Sequence, residues 1–135
     1  EMGRRAHMYR KIGEEFIADD FAHEQSIVFE TEKGLVIFNS CSHGGIANIV
    51  REVQNAFAGK KIYAVIGGFH MMKLSGLDTL GIPVDEVVKV ARELKELGVE
   101  KVYTGHCTGM IAFEIMKREL GNMVHALNTG CRIEI

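Results

Sequence analysis

Three things are missing from this 135-residue chain: long apolar runs, a surplus of charge of one sign, and an even set of cysteines. Each absence closes off a class of function. No run approaches the roughly 20 apolar residues of a membrane helix, and the start Glu1-Met2-Gly3-Arg4-Arg5 lacks the apolar core of a signal peptide. The expectation is a cytoplasmic protein with no membrane partner. With 16 Lys and Arg against 18 Asp and Glu, there is no basic footprint for nucleic acid and no acidic tail. Cys41, Cys107 and Cys131 are odd in number, and two of them stand at histidine-bearing turns, which argues against a secreted disulfide framework. Proline is almost absent, Pro83 standing alone, and the 15 glycines gather at the ends of apolar runs. That distribution points to compact, regular architecture rather than linkers. No low-complexity segment or solenoid-period repeat occurs, and 47% hydrophobic residues suffice for one domain with a real core.

What is present is one design used three times. Gly34-Leu35-Val36-Ile37-Phe38-Asn39 is an apolar run leading into Ser40-Cys41-Ser42-His43-Gly44-Gly45. Lys61-Ile62-Tyr63-Ala64-Val65-Ile66 leads into Gly67-Gly68-Phe69-His70, and Val102-Tyr103-Thr104 leads into Gly105-His106-Cys107-Thr108-Gly109. Short apolar runs bounded by glycine read as buried, parallel-type strands. Ligands of open α/β sheets bind beyond the carboxyl ends of such strands, so three histidines are expected on one rim.

Between these runs the spacing alternates from strand to helix. Residues 2–17 show only weak helical periodicity, and Asp19, Asp20 and His23-Glu24 form a polar hinge. Residues 26–31 are rich in β-formers, and Glu32-Lys33-Gly34 is a turn, which predicts an antiparallel hairpin. Ile46, Ile49, Val50, Val53 and Phe57 recur at helical spacing, as do Val87, Val88, Val90, Ala91, Leu94 and Leu97 after Pro83. A third helix is marked by Met110, Ile111, Phe113, Ile115, Met116 and Leu120, closed by Gly121. Residues 71–81 lack a period and read as an excursion near the rim. Residues 123–127 and 133–135 read as short terminal strands. The fold class is α/β, a mixed sheet covered by helices.

Neutral imidazole is a common ligand for zinc, nickel and iron. A bound divalent metal would acidify its water and polarise a phosphoryl or carbonyl oxygen. The candidate ligands are therefore His43, His106 and His70. Cys41, two residues before His43, is either a soft-metal ligand or a small buried residue. Cys107, next to His106, is expected to face the other way, and Cys131 to be structural. Ser42 and Thr108 could donate to substrate oxygens or serve as turn residues. His7 and His125 lack this context and read as ordinary.

The ordered motifs Asn39-Ser40-Cys41-Ser42-His43-Gly44-Gly45-Ile46, Ile66-Gly67-Gly68-Phe69-His70 and Thr104-Gly105-His106-Cys107-Thr108-Gly109 resemble the metallo-β-lactamase superfamily. Within it they are most similar to the 7,8-dihydropterin-6-ylmethyl-4-(β-D-ribofuranosyl)aminobenzene 5′-phosphate synthase-like branch, which Glu24-Gln25-Ser26 also fits. The resemblance covers the chain from about Asp19, so residues 1–18 are set apart as an N-terminal segment and 19–135 as a domain. That superfamily carries a His-x-His-x-Asp-His motif in its first half, and this sequence has none. By resemblance residues 19–135 are the C-terminal half of an αββα sandwich. Cys41-Ser42-His43 then falls where relatives place a bridging acidic or thiol ligand, and His106 where they place their last histidine. His23 falls near another family histidine position, but Glu24-Gln25 fits the branch better than a ligand reading of His23 does.

The resemblance implies a metal-dependent hydrolase or synthase acting on a small phosphorylated or pterin-type molecule. The metal would be zinc, with nickel, iron or manganese as alternatives. A chain lacking the first-half motif is expected to hold its metal weakly or not at all and to be inactive alone. It is further expected to form a homo-oligomer or to join a first-half partner chain. The other class is a non-catalytic association domain that completes a site with such a partner.

Overall fold

The computed structural model describes residues 8–73 and 79–135. Its elements follow the alternation of spacing. They are β1 (Tyr9–Ile12), β2 (Glu15–Ala18), β3 (Ser26–Thr31), β4 (Gly34–Asn39), α1 (Ile46–Ala56), β5 (Ile62–Gly67), α2 (Val84–Glu96), β6 (Lys101–Thr104), α3 (Met110–Leu120) and β7 (Val124–Ala126). Short 3-10 turns cover His106–Thr108 and Gly121–Met123. Strands β3 to β7 form one five-stranded sheet in sequence order, with β3 antiparallel to β4 and every later pair parallel. Because β4, β5 and β6 run the same way, their carboxyl ends share one edge, as the three matched runs require.

Register sorts the side chains onto two faces. Val28, Ile37, Val65, Val102 and Val124 are paired in turn across all five strands. They belong to one core with Val50 and Val53 of α1, Val87, Ala91 and Leu94 of α2, and Ala112, Met116 and Leu120 of α3. All three helices therefore cover the same face. Full burial of each Val or Leu is worth about 1.5–3 kcal/mol, so this layer supplies most of the stability. Asp85 and Glu86 in the first turn of α2 and Lys95 in its last also suit the helix dipole.

The next row, Ile27, Phe38, Ile66, Tyr103 and His125, faces the other way. Among the described residues only a small cluster of Val36, Ala64 and Ile66 is buried there, with Leu127 and Ile133 packed beside it. Toward the β3 edge this face is bare, with Ile27 61% and Phe29 55% exposed.

Two expectations are corrected. Residues 2–17 carried a weak helical period, yet residues 9–18 form a separate antiparallel hairpin turning at Gly13, whose φ of +60° suits glycine. Residues 133–135 form no strand; Ile133 instead packs against the thinly covered face, where a side-chain contact replaces ladder hydrogen bonds. Of the excursion expected at 71–81, residues 74–78 lie outside the described residues. Its two ends are drawn together by a 2.7 Å bond from the Gly81 N–H to the Met71 carbonyl.

Candidate metal centre

The three strand ends are tied to one another by hydrogen bonds. Ser42 Oγ donates to the Gly68 carbonyl at 2.7 Å, and the Gly68 N–H donates to the Ser40 carbonyl at 2.8 Å. The Thr104 hydroxyl donates to the Gly67 carbonyl at 2.9 Å. Its one proton is thereby committed, so in the 2.6 Å contact between the two threonines Thr108 is the donor. Thr108 Oγ1 also accepts the Phe69 N–H at 2.9 Å. Ser42 and Thr108, read from the sequence as substrate donors or turn residues, are placed with no exposed surface and hold the loops together.

Backbone strain concentrates here. Among the described residues four non-glycine residues have left-handed backbone, Phe21, Ser42, His70 and His106, at φ of 55°, 54°, 49° and 50°. Such conformations cost about 1–3 kcal/mol each and persist where the surroundings over-determine them. Three of the four lie in the turns that follow β4, β5 and β6.

The sequence-predicted groups separate into two neighbouring sets. In the first, Glu24 accepts the His43 N–H at 2.8 Å, the Gly44 N–H at 2.9 Å and His43 Nδ1 at 3.0 Å. A carboxylate has no proton to give, so Nδ1 carries it and Nε2 is left bare. Burial pushes the Glu24 carboxyl up, but the N–H bonds from Gly44 and His43 outweigh it and leave the group below its ordinary value. The His43 ring stacks on Phe21 at 4.8 Å and lies 4.5 Å from the ring of His70. His70 is held below the ordinary histidine value by burial first and by its neighbour His43 second. Its buried Nδ1 has no hydrogen-bond partner among the described residues.

The second set is Cys41, His106 and Cys107, whose two Sγ atoms and one ring nitrogen all lie within 4.8 Å of one another. Among the described residues no other three such groups gather this closely. Cys107 was expected to face away from His106, as alternate residues of a strand do. The chain leaves β6 at Thr104 and enters a 3-10 turn, and both neighbours then reach the same side. Burial pushes the Cys107 thiol up to about 12, with the Cys41 side adding to the rise and the His70 N–H opposing it. That N–H donates to Cys107 Sγ at 3.3 Å and links the two sets.

These donors fit a metal. Tetrahedral bonds of about 2.3 Å to sulfur and about 2.0 Å to nitrogen space neighbouring donors by about 3.3–3.8 Å, so closure by about 1.5 Å or less completes the contact. Two thiols and an imidazole suit zinc better than magnesium or calcium.

The remaining candidates lie elsewhere. His23 is mostly exposed, 3.8 Å from the Asp19 carboxylate. His125 stacks on Tyr103 at 5.0 Å on the opposite face. Cys131, expected to be structural, is exposed, and His7 lies outside the described residues. Beyond Phe21 and Glu24 a cleft of about 710 Å³ opens between α1 and β3, walled by Ser26, Asn48, Arg51 and Asn55. No helix among the described residues is long and apolar enough to cross a membrane.

No family model matches the chain. It is 33% identical over 123 residues to the 7,8-dihydropterin-6-methyl-4-(β-D-ribofuranosyl)-aminobenzene-5′-phosphate synthase of Methanocaldococcus jannaschii, an alignment covering 91% of this chain and 39% of that protein. It superposes with a TM-score of 0.81 and 36% identity on the crystal structure of a metal-dependent hydrolase of the β-lactamase superfamily, covering 94% of this chain and 46% of the other. The chain thus spans two-fifths to one-half of the relatives it matches.

Proposed function

We propose, from this chain's kinship with the metallo-β-lactamase superfamily and with a pterin-type synthase, that it forms part of a metal-dependent hydrolase or synthase acting on a small phosphorylated or pterin-type substrate. The observation that carries this reading is the convergence of thiol and imidazole donors from two parallel strand ends, Cys41 after β4 with His106 after β6.

In this reading Cys41 and His106 hold a divalent metal, zinc first, and His43 and His70 stand beside it as further ligands or substrate-contacting groups. When bound, the metal supplies an acidified water and a polarised phosphoryl or carbonyl oxygen. The chain's own residues do the rest. Glu24 fixes the His43 tautomer and so leaves Nε2 as the acceptor nitrogen of the ring. Ser42, Thr104 and Thr108 keep the three turns in register.

The spans of the matched relatives favour a site completed by groups outside residues 1–135. The test is turnover. The metal-loaded chain is assayed for phosphoester hydrolysis and for coupling of a phosphoribosyl compound to a dihydropterin, alone and after mixing with the first half of a matched relative. Activity on mixing, absent from either part alone, supports the reading; none under any metal counts against it.

The exposed Ile27 and Phe29 favour a second reading, a non-catalytic association domain. That reading predicts oligomers or a stable complex with a first-half chain in sedimentation, with no turnover in either state.

A further inference from the structure

We infer that Cys107 is a metal ligand, so that Cys41, Cys107 and His106 form a two-sulfur, one-nitrogen site for a thiophilic divalent cation within a single chain. The inference rests on the reading above that this rim binds a divalent metal. It goes further in giving the ion a third protein donor, one that strand alternation would point away.

Four observations converge on Cys107. Its Sγ lies within 4.8 Å of both Cys41 Sγ and a ring nitrogen of His106. It accepts the His70 backbone N–H at 3.3 Å, the kind of outer hydrogen bond that orients a metal-bound thiolate and tunes it. Gly68 leaves it room, since a Cβ there would sit 2.5 Å from the sulfur. The His106 backbone is held left-handed, at φ 50°, which permits His106 and Cys107 to serve one point.

The competing account makes Cys107 a buried thiol whose S–H donates to the Cys41 carbonyl. That contact is long, at 3.8 Å, and it explains neither the nearness of Cys41 Sγ nor that of the imidazole. The burial gradient suits an ion better. Cys107 is buried, Cys41 half-buried and His106 exposed, so the donors run from the interior to the surface. Three protein donors leave one of zinc's four usual positions unfilled, as catalytic sites require. Two thiolates select zinc or cobalt over magnesium and manganese.

Cobalt(II) added to the full reduced chain reads the sulfur count directly, through sulfur-to-cobalt charge-transfer absorption. The unaltered chain is expected to show this band. Cys107→Ser and Cys41→Ser should each lower it by about half, since each removes one of two sulfurs, and Cys131→Ser should leave it unchanged. A full-strength band in Cys107→Ser, or no band in the unaltered chain, overturns the inference. Because Cys107→Ser alters a buried position, zinc X-ray absorption on the unaltered chain gives an independent count. Two sulfur neighbours at about 2.3 Å support the site; one or none overturns it. A one-sulfur zinc site removes Cys107 alone and leaves the proposed function standing, whereas that function fails by absence of turnover in the mixed system.

Discussion

The two sets of side chains at the rim are built on opposite principles. Around His43 the polar groups are already matched: Glu24 accepts three N–H bonds, Phe21 stacks on the imidazole, and the tautomer is fixed without any ligand. Around His106 the donors are gathered but only loosely matched, Cys107 Sγ accepting the His70 N–H at 3.3 Å. Two sulfurs and a ring nitrogen lie close together, on turns held by the threonine bonds and by the long 3.8 Å contact from Cys107 Sγ to the Cys41 carbonyl. The matched set resembles a positioning device, rigid before anything binds. The loosely matched set resembles a holding device for a cation, because three electron-pair donors brought this close gain little from one another. The chemistry of the rim thus divides between residues that aim and residues that hold.

Removing a holding residue should have the largest effect. His106→Ala is expected to abolish cobalt binding by the chain and turnover in the mixed system. His125→Ala, whose ring stacks on Tyr103 across the sheet, should leave both nearly unchanged. Metal titration of the two variants checks the contrast. Equal loss in both would erase the distinction between the rim and the far face.

Removing an aiming residue should act less severely and should show without any metal. Glu24→Ala leaves the N–H groups of His43 and Gly44 and the His43 ring without their acceptor, a loss of about 1–3 kcal/mol in stability. It also frees the His43 tautomer, which nitrogen NMR of the imidazole reads directly. An outer-shell change of this kind costs about 10–100-fold in metal affinity or activity, and Glu24→Gln should fall between the two. Acid dependence sharpens the test. The Glu24 carboxyl sits below its ordinary 4.5 in the fold, so the unfolded chain binds more protons just below that pH. The stability it contributes is therefore present above about pH 4.5 and is lost as pH falls through the native value. Glu24→Gln should flatten that acid limb in denaturant melts; an unchanged limb would show that the carboxylate is not the anchor.

The difference between the two sets also marks what the sequence could reveal. Strand ends were legible because apolar runs stopped at glycines, and the parallel order of β4, β5 and β6 followed from the helices between them. That His43, His70 and His106 share a rim was legible for the same reason. Glu24 could be noticed only as part of a motif. Its partner is 19 residues away in sequence, and no local period marks a hydrogen bond across a hairpin. Cys107 was misread for a more specific reason. Alternation holds only while the chain is a strand, and nothing in Gly105-His106-Cys107-Thr108 announces that β6 ends at Thr104 and a 3-10 turn begins. The hairpin of β1 and β2 was hidden by mixed residues whose period fitted neither element well.

A smaller effect is expected where the two sets touch. Gly68 lies between them, and a Cβ there would meet Cys107 Sγ at 2.5 Å and the Ser40 carbonyl at 3.0 Å. Because the carbonyl is backbone, it cannot swing aside as a flexible side chain would. Gly68→Ala should cost about 1–3 kcal/mol by overpacking and lower the sulfur-to-cobalt band, while leaving the His43 tautomer intact. Loss of the tautomer as well would mean that the two sets form one unit.

The smallest effect concerns strain, and its sign is opposite. His70 has φ 49° and a buried ring nitrogen without a partner among the described residues, so its place in the fold is unfavourable twice over. Left-handed backbone costs an L-residue on the order of 1–2 kcal/mol, and asparagine tolerates it better because its short polar side chain bonds locally. His70→Asn is therefore expected to stabilise the chain by roughly 0.5–1 kcal/mol, read as a higher Tm. The backbone N–H to Cys107 is unaffected by the side chain, so the cobalt band should persist. What should fall is turnover in the mixed system, because the ring 4.5 Å from His43 is gone. A variant more stable and less active would show that His70 is kept for function at a cost in stability. A variant less stable would show that ring packing against His43 outweighs the strain, and would place His70 with the aiming residues as part of their support.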